Sequence, residues 1–435
     1  MKDLIAALRP IRVGTDAVVE LFFCACVILP SGSIGGLNVK QILFVATLLA
    51  VGARPHRYKF TKVMATNAIW LTALLFAWVP LAYLTGRSDG ILPLLHFKDI
   101  AVTTATAFLV SLYITDENRR ERFVRLVLYC VGITSAIKAI SFAYAAATGT
   151  SVVAIIRVIN DVFDQNLVTL DDGGIGARFQ FVSDSLLPVA LYALLAGKRR
   201  FGIAATTSVL LTILFIFSTV VSFSRFLWLY SAIAIALGML TTRLDRIKLL
   251  YLLLVGTTAA YFWDVLSFLY ELRTADATVE FSDGIREEQR GALYKFVADA
   301  PIFGHGLGTY TAESIRESVS MYAYELQLVA LVGQIGAVGA VILGFLAVYY
   351  YRGVFNLRRA VVRSGSVVIL IAIWIASGFQ NPWLTSSSAG ITFGLLYSLV
   401  PHFGGGGPLQ HSEPRSTSKA LTRIGVSSDR VSAGG

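Results

Sequence analysis

Two arginines four residues apart and a carboxylate at a helix mouth are the residues best placed to do chemistry. They lie in the stretch from Phe281 to Val338, which begins polar and ends as an apolar run. Arg286 and Arg290 project from one face of any helix that carries them, with Ser282 or Asp283 as its expected cap. Pro301 stops that helix, and Gly304, Gly306 and Gly308 make the turn that follows flexible. Tyr324 and Glu325 then open the next helix. Paired guanidinium groups beside a carboxylate suit an anionic substrate and a proton acceptor. A third arginine, Arg225, opens an apolar run after Ser222 and Ser224, so it combines a cation with a helix amino terminus, a ready anion site.

The elements that must position these groups are membrane spans. Apolar residues make up 55% of the 435-residue chain and charged residues 15%, with mean hydropathy +0.68, more apolar surface than a soluble domain can hide. The expected fold is an all-α polytopic membrane protein of about twelve transmembrane helices. They are placed near 17–30, 35–51, 67–84, 94–114, 123–147, 179–196, 201–221, 226–240, 247–265, 325–351, 367–384 and 389–403. Residues 1–403 then form a single transmembrane domain, and the Gly-, Ser-, Pro- and Arg-containing tail 404–435 is expected to be disordered in the cytoplasm. The amino terminus shows no small-residue cleavage site, so no cleaved signal peptide is expected.

Charge sets the orientation. The net charge of +10 comes from connections that alternate along the chain, beginning at Arg54, Asn118, Lys198, Arg243 and Asn356. About 25 of the 37 Lys and Arg fall there or in the termini, which puts both ends in the cytoplasm and argues against a nucleic-acid partner. Two long connections are then external: 148–177, and 267–323, a large loop expected to contain short helices. On that topology the ionisable residues Lys40, Lys98, Asp99, Lys138, Arg178, Asp184 and Arg225 gather in the outer leaflet, and Glu20 alone sits near an inner end. Charges in lipid are costly, so the cluster predicts a positively charged cavity open to the outside. Lys98–Asp99 and Arg178–Asp184 also read as structural pairs.

Other patterns give less. The acidic loop with Asp161, Asp164, Asp171 and Asp172 has no ligand spacing for a divalent cation and reads as solvated. Cys24, Cys26 and Cys130 spell neither a disulfide framework nor a zinc site. Gly304-His-Gly-Leu-Gly308 follows a helix and not a strand, so it reads as a turn, one that can carry His305 to the cavity, and not as a dinucleotide fingerprint. Gly336, Ala340 and Gly344 form a small-residue edge for close helix packing.

In order along the chain, Ser222-Phe-Ser-Arg225, Arg286 with Arg290, Ala300-Pro-Ile-Phe-Gly-His-Gly-Leu-Gly308 and Leu326-Gln-Leu-Val-Ala-Leu-Val-Gly-Gln-Ile-Gly336 resemble the O-antigen ligase and polymerase family of bacterial envelope glycosyltransferases. The resemblance implies a GT-C-like helical fold in the inner membrane with its active site periplasmic. It implies inverting, metal-independent glycosyl transfer without a cofactor, from a polyprenyl-pyrophosphate-linked oligosaccharide. It also implies that Arg225, Arg286 and Arg290, with Arg178, hold the pyrophosphate. Family ligases usually carry His-Asn just before the last of these motifs, where this chain has Tyr322 and Ala323. Glu325 is the carboxylate on offer as base, and Lys40, Lys98, Lys138, His305, Tyr322 and Tyr324 are expected to contact substrate. The expectation is a polymerase of exopolysaccharide or O-antigen repeat units that works among membrane lipid, with a chain-length regulator and a flippase of the same pathway as candidate partners. An O-antigen ligase acting on the lipid A core, a secondary transporter and a non-catalytic assembly partner are the rival readings.

Overall fold

Apolar runs punctuated by capping residues become helices throughout the computed structural model. It describes residues 14–29, 33–34, 37–53, 62–163, 178–197, 201–241, 256–257, 267, 271, 276–315, 320–352 and 361–400. The chain begins with α1 (Thr15–Ile28), a two-residue antiparallel ladder of β1 (Ser33–Ile34) and β2 (Leu37–Asn38), and α2 (Val39–Gly52). Next come α3, which runs from Lys62–Ala73 through a π turn at Leu74–Trp78 into Val79–Leu84, α4 (Leu92–Tyr113), α5 (Glu117–Thr148) and α6 (Val152–Phe163). A 3-10 turn at Val182–Leu186 leads into α7 (Leu187–Gly197), then α8 (Ala205–Val221) and α9 (Arg225–Thr241). The remaining helices are α10 (Asp276–Asp299), α11 (Gln327–Tyr350), α12 (Val361–Ala376) and α13 (Ser387–Leu399).

Met64–Leu84, Leu92–Tyr113, Glu117–Thr148 and Gln327–Tyr350 are long and apolar enough to cross a membrane, and several shorter apolar helices accompany them. Large apolar side chains stand exposed on the helix exteriors, among them Leu49, Ile69, Phe76 and Phe345. Such surfaces suit lipid and not water. Met1–Pro401 forms one compact unit. The tail expected to be disordered, and all of the 247–265 span but 256–257, lie outside the described residues.

Local chemistry explains the helix ends. Asn38, Asp116 and Ser386 accept the backbone N–H of Gln41 (3.0 Å), Arg119 (2.9 Å) and Ala389 (3.0 Å), each satisfying a donor that the first turn leaves open. Gly149, at φ 70°, ends α5 in the left-handed conformation that glycine adopts without strain. The π turn of α3 occupies the residues just before Pro80, whose ring disrupts the ordinary i−4 bond.

Two packing clusters matter here. The larger joins α1, α4, α5, α7, α8, α9, α12 and α13 through residues such as Phe23, Val110, Phe123, Leu191, Tyr230, Trp374 and Leu395. The smaller joins α3, α4 and α11 through Trp70, Leu74, Trp78, Ile100, Leu307, Ile335 and Leu346. Leu307 belongs to the glycine-rich turn, so that turn is part of a core.

Helix α11 is broken at Gly336 (φ 67°, ψ −177°). The break frees the carbonyls of Gly333 and Gln334, which accept the N–H groups of His305 (3.0 Å) and Gly306 (2.8 Å). In return Ala337 and Val338 donate to the carbonyls of Pro301 (2.9 Å) and Ile302 (3.1 Å). The indole N–H of Trp78 bridges the carbonyls of Phe303 (2.9 Å) and Ile335 (3.0 Å). Segment 300–308 is thus laid into the kink like a short strand. Gly336 seats that loop, while Gly344 has no neighbour within 4 Å of a built Cβ, so the small-residue edge is not a helix–helix contact as expected.

Candidate functional site

The first turns of α4, the middle of α10 and the starts of α11 and α13 meet in a polar cluster above an apolar cavity. On α4, Asp99 Oδ2 accepts the Tyr322 hydroxyl at 2.7 Å, and Asp99 Oδ1 lies 3.6 Å from Lys98 Nζ. Tyr322 stacks on His96 with ring centroids 4.5 Å apart and planes 17° from parallel. His96 is fixed in turn, because its Nδ1 accepts the Gly308 N–H at 3.1 Å, which leaves the proton on Nε2. Tyr322 and His96 are buried, while the Asp99 side chain keeps 36% of its surface exposed.

One turn further along α4, Thr103 donates to the Ser386 carbonyl at 3.1 Å, tying α4 to the cap of α13. Gln327, the first residue of α11, accepts the Leu384 N–H at 2.8 Å and donates to Thr385 Oγ1. Trp383 packs against Phe226, the neighbour of Arg225, with ring centroids 5.6 Å apart. A chain of contacts therefore runs from Asp99 to the start of α9.

Beneath this cluster lies a cavity of about 310 Å³ between α3, α4, α11, α12 and α13, lined almost wholly by apolar atoms. Ile100, Thr103, Leu328 and Thr385 border its upper part, and Tyr350 and Tyr351 its far end. Along α4 it extends from Ile100 to Phe108, about 12 Å of helix. The expected cavity was positively charged; this one is apolar, with Lys98 and Asp99 on the turn that leads into it.

The arginines fall in two places. Arg225 is the first residue of α9, after Phe223, whose φ of 48° is a strained value for a residue with a Cβ. Ser224 caps α9 by accepting the Leu227 N–H (3.4 Å), and Ser222 donates to the Thr219 carbonyl (2.7 Å). The Ser222 hydroxyl proton is thus engaged within the protein, whereas Ser224 acts there as an acceptor. Arg178 Nε donates to the Ser222 carbonyl at 3.2 Å, which brings Arg178 to the turn that Arg225 ends.

Arg286 and Arg290 lie one turn apart on α10, as the spacing predicts, but α10 begins at Asp276 and runs through Ser282 and Asp283 instead of being capped there. Arg290 pairs with Glu287 at 2.6 Å on the exposed face. Between the arginines is Gln289, a buried amide whose Oε1 accepts the Glu325 N–H at 3.3 Å. Gln289 therefore holds the arginine helix against the start of α11. Tyr324 is buried and its hydroxyl accepts the Thr311 N–H at 2.8 Å; burial raises this phenol above the usual tyrosine range.

Two expected contacts have other partners. Lys138 is fully buried and bound to Asp184 at 2.5 Å, beneath the rings of Phe179 and Phe181. In sequence, Arg178–Asp184 also reads as a structural pair. Helix α5 delivers Lys138 to Asp184 instead, which also accepts the Phe181 N–H at 3.0 Å. His305 does not line the cavity: its Nε2 donates to the Phe296 carbonyl at 2.8 Å, and its ring stacks on Phe296. Arg87 stands 3.4 Å from the same nitrogen and pairs with Asp299 at 3.2 Å. Lys40 is half-buried, one residue into α2, beyond the short ladder.

The residues missed by sequence reasoning are His96 as a stacking partner, Gln289, Gln327 and Arg87. Gln289 lies next to Arg290 in sequence, but only the structure shows that it is buried, where an amide seldom lacks a partner.

Among the described residues, no group of three or more His, Cys, Asp or Glu side chains could hold a metal ion. Comparisons with protein-family models, curated proteins and solved structures find no match to the chain.

Proposed function

We propose that the protein is a membrane glycosyltransferase that polymerises polyprenyl-pyrophosphate-linked oligosaccharide repeat units into exopolysaccharide or O-antigen. The observation that carries this reading is an apolar cavity directly below a polar cluster of Asp99, Lys98, Tyr322 and Gln327. A chain-like apolar tail and a polar head need just such a division of surfaces, and a lipid-linked sugar is an amphiphile of that kind. The arginines at the starts of α9 and on α10 supply charge for the pyrophosphate.

The chemistry asks little of the protein. Pyrophosphate leaves the anomeric carbon, and guanidinium groups of Arg225, Arg286 and Arg290, with Arg178, stabilise the charge it gains. An acceptor hydroxyl attacks from the opposite face, which inverts the configuration, and a carboxylate takes its proton. Glu325, two residues before α11, and Asp99, which accepts the Tyr322 hydroxyl, are the candidate carboxylates. No metal or cofactor enters this scheme.

The reading includes twelve spans in a bacterial inner membrane, both termini cytoplasmic and the polar cluster periplasmic, in a GT-C-like arrangement. In its support, described helices overlap every expected span but 247–265, four of them long and apolar enough to cross a membrane. Deleting the gene and profiling the surface glycan tests it. Single repeat units capping the lipid A core, or loss of exopolysaccharide with its lipid-linked repeat accumulating, is the expected outcome. Accumulation of long lipid-linked polymer points instead to a ligase, and an unchanged glycan profile refutes both.

A further inference from the structure

Asp99, itself 3.6 Å from Lys98, differs in its position from several carboxylates around it. Asp299 is paired with Arg87, Glu287 with Arg290, Glu313 with Lys295, and Asp184 is sealed against Lys138. Asp89 accepts from Tyr310 in an exposed turn. Glu325 is anchored through its main chain, its N–H donating to Gln289. Asp99 does not line the cavity itself, but on α4 it stands next to Ile100 and one turn before Thr103, both of which do.

Its carboxylate is also oriented. Oδ2 is held by the Tyr322 phenol, whose ring is clamped face to face on His96. The imidazole in turn cannot rotate without losing the Gly308 N–H. Gly308 has φ +74°, and a Cβ there would come within 2.6 Å of the Leu92 carbonyl oxygen, so the glycine-rich turn is fitted to this very place on α4. The result is a rigid relay: backbone of Gly308, His96, Tyr322, Asp99. A base must be held in place relative to the proton it takes; Oδ1 faces Lys98 Nζ at 3.6 Å, and the Asp99 side chain keeps 36% of its surface exposed.

Resting on the transferase reading above, we propose that Asp99 is the general base of the transfer, and that Tyr322 and His96 are positioning residues that aim it. In the step, the acceptor hydroxyl oxygen forms a bond to the anomeric carbon of the donor. The bond from that carbon to the pyrophosphate oxygen breaks, and its electron pair leaves with the polyprenyl pyrophosphate. The proton of the hydroxyl passes to Asp99 Oδ1, next to Lys98, and is lost to water before the next cycle. Glu325, which the sequence offers for this role, gives its main-chain N–H to Gln289 of α10.

The test uses the full-length chain in lipid nanodiscs, with lipid-linked repeat units extracted from the deletion strain as probe. Chain growth and donor binding are measured separately. Asp99→Asn, which keeps shape and hydrogen bonding, should lower kcat at least a hundredfold with donor Kd within about threefold of wild type. Asp99→Glu should recover part of the loss. Tyr322→Phe should lower kcat about tenfold with KM unchanged, where a merely structural role would move both or neither. Retained donor binding shows that the variants are folded. An active wild type whose Asp99→Asn variant also grows chains normally overturns the assignment of the base and leaves the transferase reading standing. A folded wild type that neither binds nor extends the probe overturns the transferase reading, and the base assignment with it.

Discussion

Gly304 and Gly336 lie backbone against backbone. A Cβ built on Gly304 comes within 2.4 Å of the Gln334 carbonyl oxygen and 2.6 Å of Gly336 N, and one built on Gly336 within 2.5 Å of Gly304 N. Both residues have positive φ, 72° and 67°. The loop and the helix kink therefore specify each other, and the site above depends on the pair, since the same loop presents Gly308 to His96.

Gly304→Ala and Gly336→Ala should each destabilise the protein by about 2 kcal/mol or more, because strain at positive φ adds to a clash with backbone that cannot move aside. Gly344→Ala is the control, with open space around it, and should be neutral or slightly stabilising. Thermal unfolding of the three variants in one detergent gives the ranking. Equal midpoints would show that the loop is not seated in the kink.

Lys138 and Asp184 form a buried ion pair, and breaking such a pair leaves an uncompensated charge. Lys138→Met alone should cost about 3–5 kcal/mol, whereas Lys138→Met with Asp184→Leu should recover most of that loss. A double-mutant cycle on unfolding checks this. If Lys138→Met is instead stable and impaired only in donor binding, Lys138 serves the substrate as the sequence suggests.

The His305 imidazole is held below the ordinary histidine range, chiefly by burial, with Arg87 acting the same way and the Phe296 carbonyl and Asp299 acting against it. A folded-state value below the unfolded value of about 6.5 means that the unfolded chain takes up the proton first as pH falls. The stabilising contribution is thus complete above about pH 6.5 and is lost as pH drops through the folded-state value. Unfolding midpoints measured from pH 8 to pH 5 should fall on the acid side, and His305→Asn should flatten that fall. An unchanged slope in the variant would assign the pH dependence to other groups.

How much of this was legible in the sequence follows from the range of each signal. Helix positions were readable because hydropathy is a local property, and so was the end of α10 at Asp299, two residues before Pro301. The kink was not: Gly336 inside an apolar run looks like a packing edge, and only the loop, folded back from residues 300–308, shows why it must bend. Asp99 and Tyr322 are separated by 223 positions, and Gln289 and Glu325 by 36, so no periodicity links them. Lys138 and Asp184 were both flagged as charges in apolar runs, but the sequence could not show that they were each other's partner.

Arg225→Ala should lower chain growth by at least a hundredfold in a protein that still folds and inserts, and Arg225→Lys should rescue it poorly, since an ammonium lacks the planar fork that grips two phosphate oxygens. Arg290→Ala should have the weaker effect, because Arg290 is exposed and already paired with Glu287. Competition by free pyrophosphate against labelled lipid-linked donor reads the site directly. Wild-type affinity in both alanine variants would take the pyrophosphate away from these arginines.

The most direct measurement of the central claim is product formation by the pure full-length protein in liposomes, supplied with lipid-linked repeat units and a chelator and read by mass spectrometry. The account predicts a ladder of glycans lengthening by one repeat at a time, with one polyprenyl pyrophosphate released for every new glycosidic bond. Repeat units that stay unextended, with no polyprenyl pyrophosphate released, contradict it.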